Sequence, residues 1–450
     1  MYQDYYALDT DMAGRLLDIA RRKKVDAEVF VMRSRELSIE VINGQVDTFI
    51  EAEASGLGIR VINAGRLGFA YSSDFSAPAL QKLLDDAITM AKYTTQSEHN
   101  RLPQSGQVYA PLEIFDNNIS RISVEDKIEL ARHMERNARA YDPRVTVIER
   151  AGYEDGEVSQ LIMNTRGINA FARGNYCGSY VFVVAEQEGD AQTGFSVSLK
   201  KKYADLQPEA VAIEAASKAV RSLKAFMIPS GRIPCLLDPY VMTRFLGIIA
   251  RMVDAEAVQK GKSLFAGAVG QQVAAASLNL VDDGLYADGI ASFPFDDEGV
   301  ASQTTSLIEQ GQFMGYLYDT YTASCDGAVS TGNGQRGSFR GLPSVGTTNF
   351  MLLPGEHSRQ ELCSDIDYGF YITEVMGMHT ANPISGDFSV GAAGFVIRQG
   401  QEAEPVRGVT IAGNIIDLLK DIEAIGNDLR FFGAKAAPTV RIRNLSIGGE

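Results

Sequence analysis

Between residues 9 and 24 the apolar positions recur at helical spacing, with Met12, Leu16, Leu17, Ile19 and Ala20 on one stripe, which predicts an amphipathic helix. Alternation of apolar and polar positions then takes over in five short runs, 28–33, 37–42, 46–52, 58–63 and 67–71. Asn43-Gly44 and Ala64-Gly65 punctuate these runs as tight turns, so the pattern predicts an antiparallel meander. Helical spacing returns over 78–93, opened by Ser76 and Pro78, and again over 124–141. Strand-like alternation runs from 145 to 198, broken at Asn164-Thr165-Arg166-Gly167, and a helix is expected over 208–226.

Met227-Ile228-Pro229-Ser230-Gly231 stops that helix and is the best candidate for a domain boundary, giving domains at 1–228 and 229–450. A strand over 233–237 and a helix over 239–257 follow, then many short strands and Gly-rich turns with one further helix over 415–425. Helices with an antiparallel meander, followed mostly by strands, predict an α+β fold of two domains, the second strand-rich and barrel-like. The patch 330–337, Ser-Thr-Gly-Asn-Gly-Gln-Arg-Gly, reads as the nearest thing to a flexible loop.

Composition narrows the function. A net charge of −15 argues against nucleic acid and anionic lipid as partners. The basic runs Arg21-Arg22-Lys23-Lys24 and Lys200-Lys201-Lys202 are isolated and flanked by acids. No stretch nears the roughly 18 apolar residues of a membrane-spanning helix. The start Met1-Tyr2-Gln3-Asp4-Tyr5 is acidic where a signal peptide is basic, so a cytoplasmic location is expected. Cys177, Cys235, Cys325 and Cys363 lie far apart, which suits a reducing compartment. Histidine is scarce, only His99, His133, His357 and His379 being present, and zinc peptidases and most hydrolytic triads draw on it.

Gly56-Leu57-Gly58-Ile59-Arg60-Val61 is followed by Gly65-Arg66-Leu67-Gly68-Phe69, Asp282-Asp283-Gly284 and Phe295-Asp296-Asp297-Glu298-Gly299. Ser330-Thr331-Gly332-Asn333-Gly334, Ser385-Gly386-Asp387-Phe388, Pro405-Val406-Arg407-Gly408 and Gly426-Asn427-Asp428-Leu429 come next along the chain. In residue choice and order these segments resemble the TldD/PmbA family, also known as modulators of DNA gyrase. In the TldD branch, the resemblance implies a helix bearing H-E-x-x-x-H, whose two histidines and a C-terminal cysteine hold zinc while the glutamate is general base. Counting back without gaps from Ser263-Leu264-Phe265-Ala266-Gly267, those positions hold Leu246-Gly247-Ile248-Ile249-Ala250-Arg251. Leu246 and Arg251 replace the histidines, Gly247 replaces the base, and no cysteine follows Cys363.

The resemblance therefore implies the PmbA (TldE) branch: a zinc-free subunit, with no catalytic residue or cofactor of its own. Its partner would be a TldD-like subunit that carries the zinc and processes unfolded peptides, in a family tied to peptide-antibiotic maturation and gyrase modulation. A homodimer is the expected form when that partner is absent. Asp297, Glu298, Arg336, His379 and Asp387 are the candidate peptide- or partner-contacting residues. For the acidic run, the plainer reading is a solvated turn ended by Gly299; for His379, a hydrogen-bonded structural residue. The alternative function is a stand-alone binding module, or a hydrolase using a hard metal on Asp297 and Glu298.

Overall fold

The computed structural model describes residues 3–450, so the acidic N-terminal segment lies in part outside the described residues. It is a mixed α+β structure with more strand than helix. Six strands form one antiparallel sheet in the order β3-β2-β1-β4-β5-β6: β1 Asp26–Ile42, β2 Gln45–Asn63, β3 Arg66–Ser72, β4 Val145–Asn164, β5 Asn169–Gln187 and β6 Asp190–Lys200. Helices α1 Gln3–Arg22, α2 Ala77–Ala91, α3 Val124–Tyr141 and α4 Pro208–Arg221 cover it. Its apolar face seats two separate helical layers, Leu16, Leu57, Ile59 and Leu84 in one, Met134, Val181, Ala215 and Ala219 in the other.

The four runs expected over 28–63 are two long strands. The polar stretch Ser34-Arg35-Glu36 does not interrupt β1, because both neighbouring strands continue their ladders through it. Over its first half β2 pairs with β1 alone, since β3 pairs only from Leu57 onward. That open edge is exposed on both faces and carries Val46, Phe49 and Ile50 in water.

Strand β7, Gly231–Leu237, opens the second half. It lies between Tyr368–Met376, to which it runs parallel, and Val440–Gly448. Asp387–Arg398 and Gln401–Asn414 extend the sheet, and pairing of Thr410–Ala412 with Ser446–Gly448 closes five strands into a barrel. A second sheet contains Leu280–Asp283, Thr304–Glu309, Asn349–Leu352, Arg430–Phe432 and Lys435–Ala437. Between the two lies α5, Pro239–Met252, the most deeply buried helix of this half. Phe245 packs edge-on to Phe388 of the barrel at 5.1 Å, and each such fully buried side chain contributes about 1.5–3 kcal/mol.

The helix expected over 239–257 breaks after Met252. Asp254 accepts from the Glu256 amide at 2.8 Å and caps a new short helix, α6 Ala255–Gln259. The expected helix 415–425 stops at Lys420, because Ile422–Ile425 pairs as a strand with Val440–Ile442. Two further short helices, Thr320–Asp326 and Arg359–Cys363, each begin with a capping box that the apolar pattern does not announce.

Candidate functional site

Helix α5 has an inward and an outward face, and the two sort the degenerate motif. Asp238 caps its N-terminus, accepting from the Tyr240 amide at 2.9 Å, and Tyr371 donates its hydroxyl to the same carboxylate at 2.5 Å. With the start fixed in this way, Phe245, Leu246, Ile249 and Met252 point into the core. Tyr240, Arg244, Gly247 and Arg251, spaced by three or four residues, line a cavity of about 460 Å³. The opposite walls are Met378, His379 and Pro383 on one side and Phe432 and Lys435 on the other.

Of the three motif positions, Gly247 and Arg251 face this cavity, whereas Leu246 is 1% exposed and belongs to the core. Five residues of regular helix turn a side chain by about 140°, so 246 and 251 look in different directions. A Cβ added at Gly247 would meet only the Lys435 side chain, at 3.8 Å, so the missing side chain leaves open space. Imidazole, thiolate and carboxylate are the groups that hold zinc. Here the lining offers two guanidinium groups, an ammonium, a single imidazole and the neutral hydroxyls of Tyr240 and Thr243, and this donor set does not fit a dication.

The side chains of Arg244, Arg251 and Lys435 make no hydrogen bond or ion pair among the described residues, whereas neighbouring Arg430 forks onto Glu214 through two contacts of 3.0 Å. Burial, together with the Arg244 charge, lowers the pKa of Lys435. Among the described residues, no Asp or Glu lines the cavity.

The remaining candidates lie elsewhere. Asp387 is exposed at the start of a barrel strand, where Asn414 donates to it at 3.0 Å and caps the helix at Ile415 with its own side-chain oxygen. That hydrogen bond, with one from Ser385, holds the Asp387 carboxyl below the usual range. Its place is a turn lock, outside the His379 cavity.

Asp297, Glu298 and Arg336 belong to an internal ion-pair network, which corrects the reading of the acidic run as a solvated turn. Glu298 is fully buried, and its carboxylate accepts from Arg60 of β2 at 2.8 Å and from the Thr320 amide at 2.7 Å. Arg60 also reaches Glu28 of β1 at 2.8 Å, and Arg336 donates to that same Glu28. Asp297 accepts from the Arg336 amide at 2.6 Å, while Asp296 accepts from the amides of Glu298, Val300 and Gly334. These oxygens are already committed, so a hard-metal site on Asp297 and Glu298 would have to dismantle the network. The network ties the first sheet to the second half of the chain.

The glycines beside Arg60 serve the same seam. A Cβ at Gly58 would sit 2.5 Å from the Phe339 carbonyl oxygen, and one at Gly56 would strike the Phe339 ring. The patch 330–337 is likewise fixed rather than flexible. Asn333 donates to Asp282 at 2.7 Å and to the Gly346 carbonyl at 2.8 Å, and a Cβ on Gly334 would meet Glu298 at 2.7 Å.

Burial raises the carboxyls of Asp282 and Asp297 to about 6, despite the hydrogen bonds each accepts. A proton held more tightly in the folded than in the unfolded chain stabilises the fold below the unfolded value of 3.8, and that gain is lost as pH rises through about 6. Relative to Asp282→Asn, which cannot titrate, the wild type should therefore lose about 2 kcal/mol of stability between pH 4.5 and 7. Urea unfolding of the two proteins at both pH values checks this; parallel pH trends would contradict it.

Sequence reasoning found Gly247, Arg251 and His379 but missed Arg244 and Lys435. Arg244 was within reach, since it lies one and two helical turns before Gly247 and Arg251. Lys435 comes from a hairpin far along the chain and gave no local signal. Glu28 and Arg60 were also missed, although a charge inside an apolar strand is the mark of a buried pair.

The chain matches the PmbA/TldA metallopeptidase domain 1 over residues 27–91, the central domain over 117–223 and the C-terminal domain over 230–449. It is 27% identical to the metalloprotease PmbA of Escherichia coli O157:H7 over 446 residues, covering 96% of this chain and 94% of that one. It is equally 27% identical to a metalloprotease TldD homologue of Haemophilus influenzae over 438 residues, covering 93% and 89%. A crystal structure from Thermotoga maritima, put forward as a modulator of a DNA gyrase, superposes with a TM-score of 0.90 at 30% identity, covering 98% of this chain and all of that one. The identities do not separate the family's two branches, but with three successive family domains matched along its length, the chain belongs to the PmbA/TldD metallopeptidase family.

Proposed function

We propose that this chain is the zinc-free subunit of a PmbA/TldD-type peptidase, acting on unfolded peptides only when paired with a zinc-bearing relative. One observation carries the reading: where the metal helix would present ligands and a base, α5 presents Arg251, Gly247 and a buried Leu246, beside Arg244 and Lys435. Cations at those positions repel a dication, and glycine cannot accept a proton from water. Zinc and the catalytic carboxylate then belong to the partner, and this chain contributes walls to a shared chamber.

The open edge of β2 supports an association. An unpaired strand edge with Val46, Phe49 and Ile50 in solvent is a surface that proteins ordinarily cover. A second copy of this chain is the occupant expected when the relative is absent. Any effect on gyrase would run through protein contacts or peptide processing, since a chain of net charge −15 is a poor ligand for DNA.

Mixing the purified chain with a relative that carries H-E-x-x-x-H tests the proposal. The chain alone should leave an unfolded peptide intact and hold no stoichiometric zinc, while the mixture cleaves it and the two proteins co-elute. Equal cleavage by the relative alone, without co-elution, would overturn the subunit reading and leave the binding module as the better account.

A further inference from the structure

We propose that the cavity beside α5 is a receptor for the free carboxylate terminus of a peptide. Three cations line it with no carboxylate among the other lining residues: Arg244 and Arg251, both exposed, from one helix face, and half-buried Lys435 from the facing hairpin. This is costly for Lys435, whose half-buried ammonium lies near the Arg244 charge. The lowered pKa of Lys435, caused by burial and by Arg244, is the signature of that cost. A chain with 57 acidic residues has ample means to neutralise the site internally, yet among the described residues none lines it. An external anion is what the site lacks.

The geometry narrows the anion. Two guanidinium groups favour a planar, two-oxygen acceptor such as a carboxylate, and an ammonium adds a third donor. His379 on the far wall offers a further donor in the tautomer that carries its proton on the nitrogen facing the cavity. Apart from Thr243, whose hydroxyl donates to the Tyr240 carbonyl at 2.7 Å, the rest of the lining is apolar or aromatic. Tyr240 and Phe432 meet edge-to-face at 5.2 Å, with Met378 and Pro383 opposite. A cavity of about 460 Å³ falls within the roughly 300–1,000 Å³ of small-ligand sites. A terminal residue with an apolar side chain and a free carboxylate uses both kinds of wall, whereas a free inorganic anion uses only one. The space left by Gly247 is where that residue would enter.

The class of ligand rests on the peptide reading above, but anion capture rests on the cavity alone, so the experiment uses the isolated full-length chain. Calorimetric titration compares a short unstructured peptide ending in a free leucine carboxylate with the same peptide amidated, and with inorganic phosphate. The acid should bind at least tenfold more tightly than the amide, and phosphate should compete only weakly. Arg251→Gln should weaken the acid at least tenfold, with an unchanged melting temperature. Gly247→Leu fills the space without altering charge and should likewise weaken the acid at least tenfold. Equal affinity for acid and amide, phosphate bound more tightly than the acid, no measurable binding of the acid, or retention of it in both variants would each overturn the proposal. A chain that binds the acid yet fails to activate a zinc-bearing relative would keep this site and lose the subunit. Activation of the relative without any carboxylate preference would do the reverse.

Discussion

Arg60→Ala is expected to destabilise the folded chain by about 3–5 kcal/mol, the cost of leaving buried charge without its partner. The guanidinium is 5% exposed and lies between two carboxylates, Glu28 and Glu298, that are fully buried. Burial alone would lower the Arg60 pKa, but the two carboxylates outweigh it and raise it, so the cation is held firmly. Without it, Glu28 keeps only Arg336, and Glu298 keeps the Thr320 amide while facing Asp296 and Asp319. The network is not therefore a net source of stability, because taking these ions out of water costs several kcal/mol each and the Arg60 Nε has no hydrogen-bond partner. Its effect is on coupling, since Arg60 and Glu28 sit on β2 and β1 while Glu298 belongs to the second half. Denaturant unfolding of Arg60→Ala should thus separate into two phases when followed by probes in each half. A single cooperative transition shifted by less than 1 kcal/mol would contradict this.

How much of this was legible in the sequence depends on how local the cause was. Helix 124–141 was read with its true bounds, because Ser123 accepts from the Asp126 amide at its start and acidic residues fill its first turn. The length of β1 was not legible: Ser34-Arg35-Glu36 looks like a break, and only the ladders on both sides carry the strand through. Barrel closure depends on a parallel pairing of Cys235 with Phe370, across more than a hundred residues, which no short-range pattern encodes. The acidic run misled for a related reason. Asp296-Asp297-Glu298 reads as exposed until Arg60, from a distant strand, pairs with Glu298 and the nearby Arg336 charge favours ionised Asp297. The α5 face was half legible, since helical spacing groups Gly247 with Arg251, but the unpaired charge of the cavity is visible only once Lys435 is in place.

Gly68→Ala should cost stability toward the upper end of about 1–3 kcal/mol, although it adds one methyl group in a strand where alanine is ordinarily tolerated. The reason is the close seating of α2 on β3. A Cβ at Gly68 would fall 1.9 Å from the Ala87 carbonyl oxygen and 2.8 Å from the Ala91 amide nitrogen. Both are helix backbone, so no rotamer change relieves the contact and the helix itself must move. That movement would open the layer where Leu83, Leu84 and Ala87 pack against Ile59 and Val61, and would add voids to the overlap. Gly14→Ala provides the control, as its new methyl meets nothing within 4 Å and lies inside α1. There alanine should stabilise by up to about 1 kcal/mol, because glycine is the poorer helix former. Thermal and urea unfolding of the two variants should therefore move in opposite directions from the wild type. If Gly68→Ala melted with the wild type while Gly14→Ala rose, the close approach of α2 to β3 would not be the constraint that requires glycine at position 68.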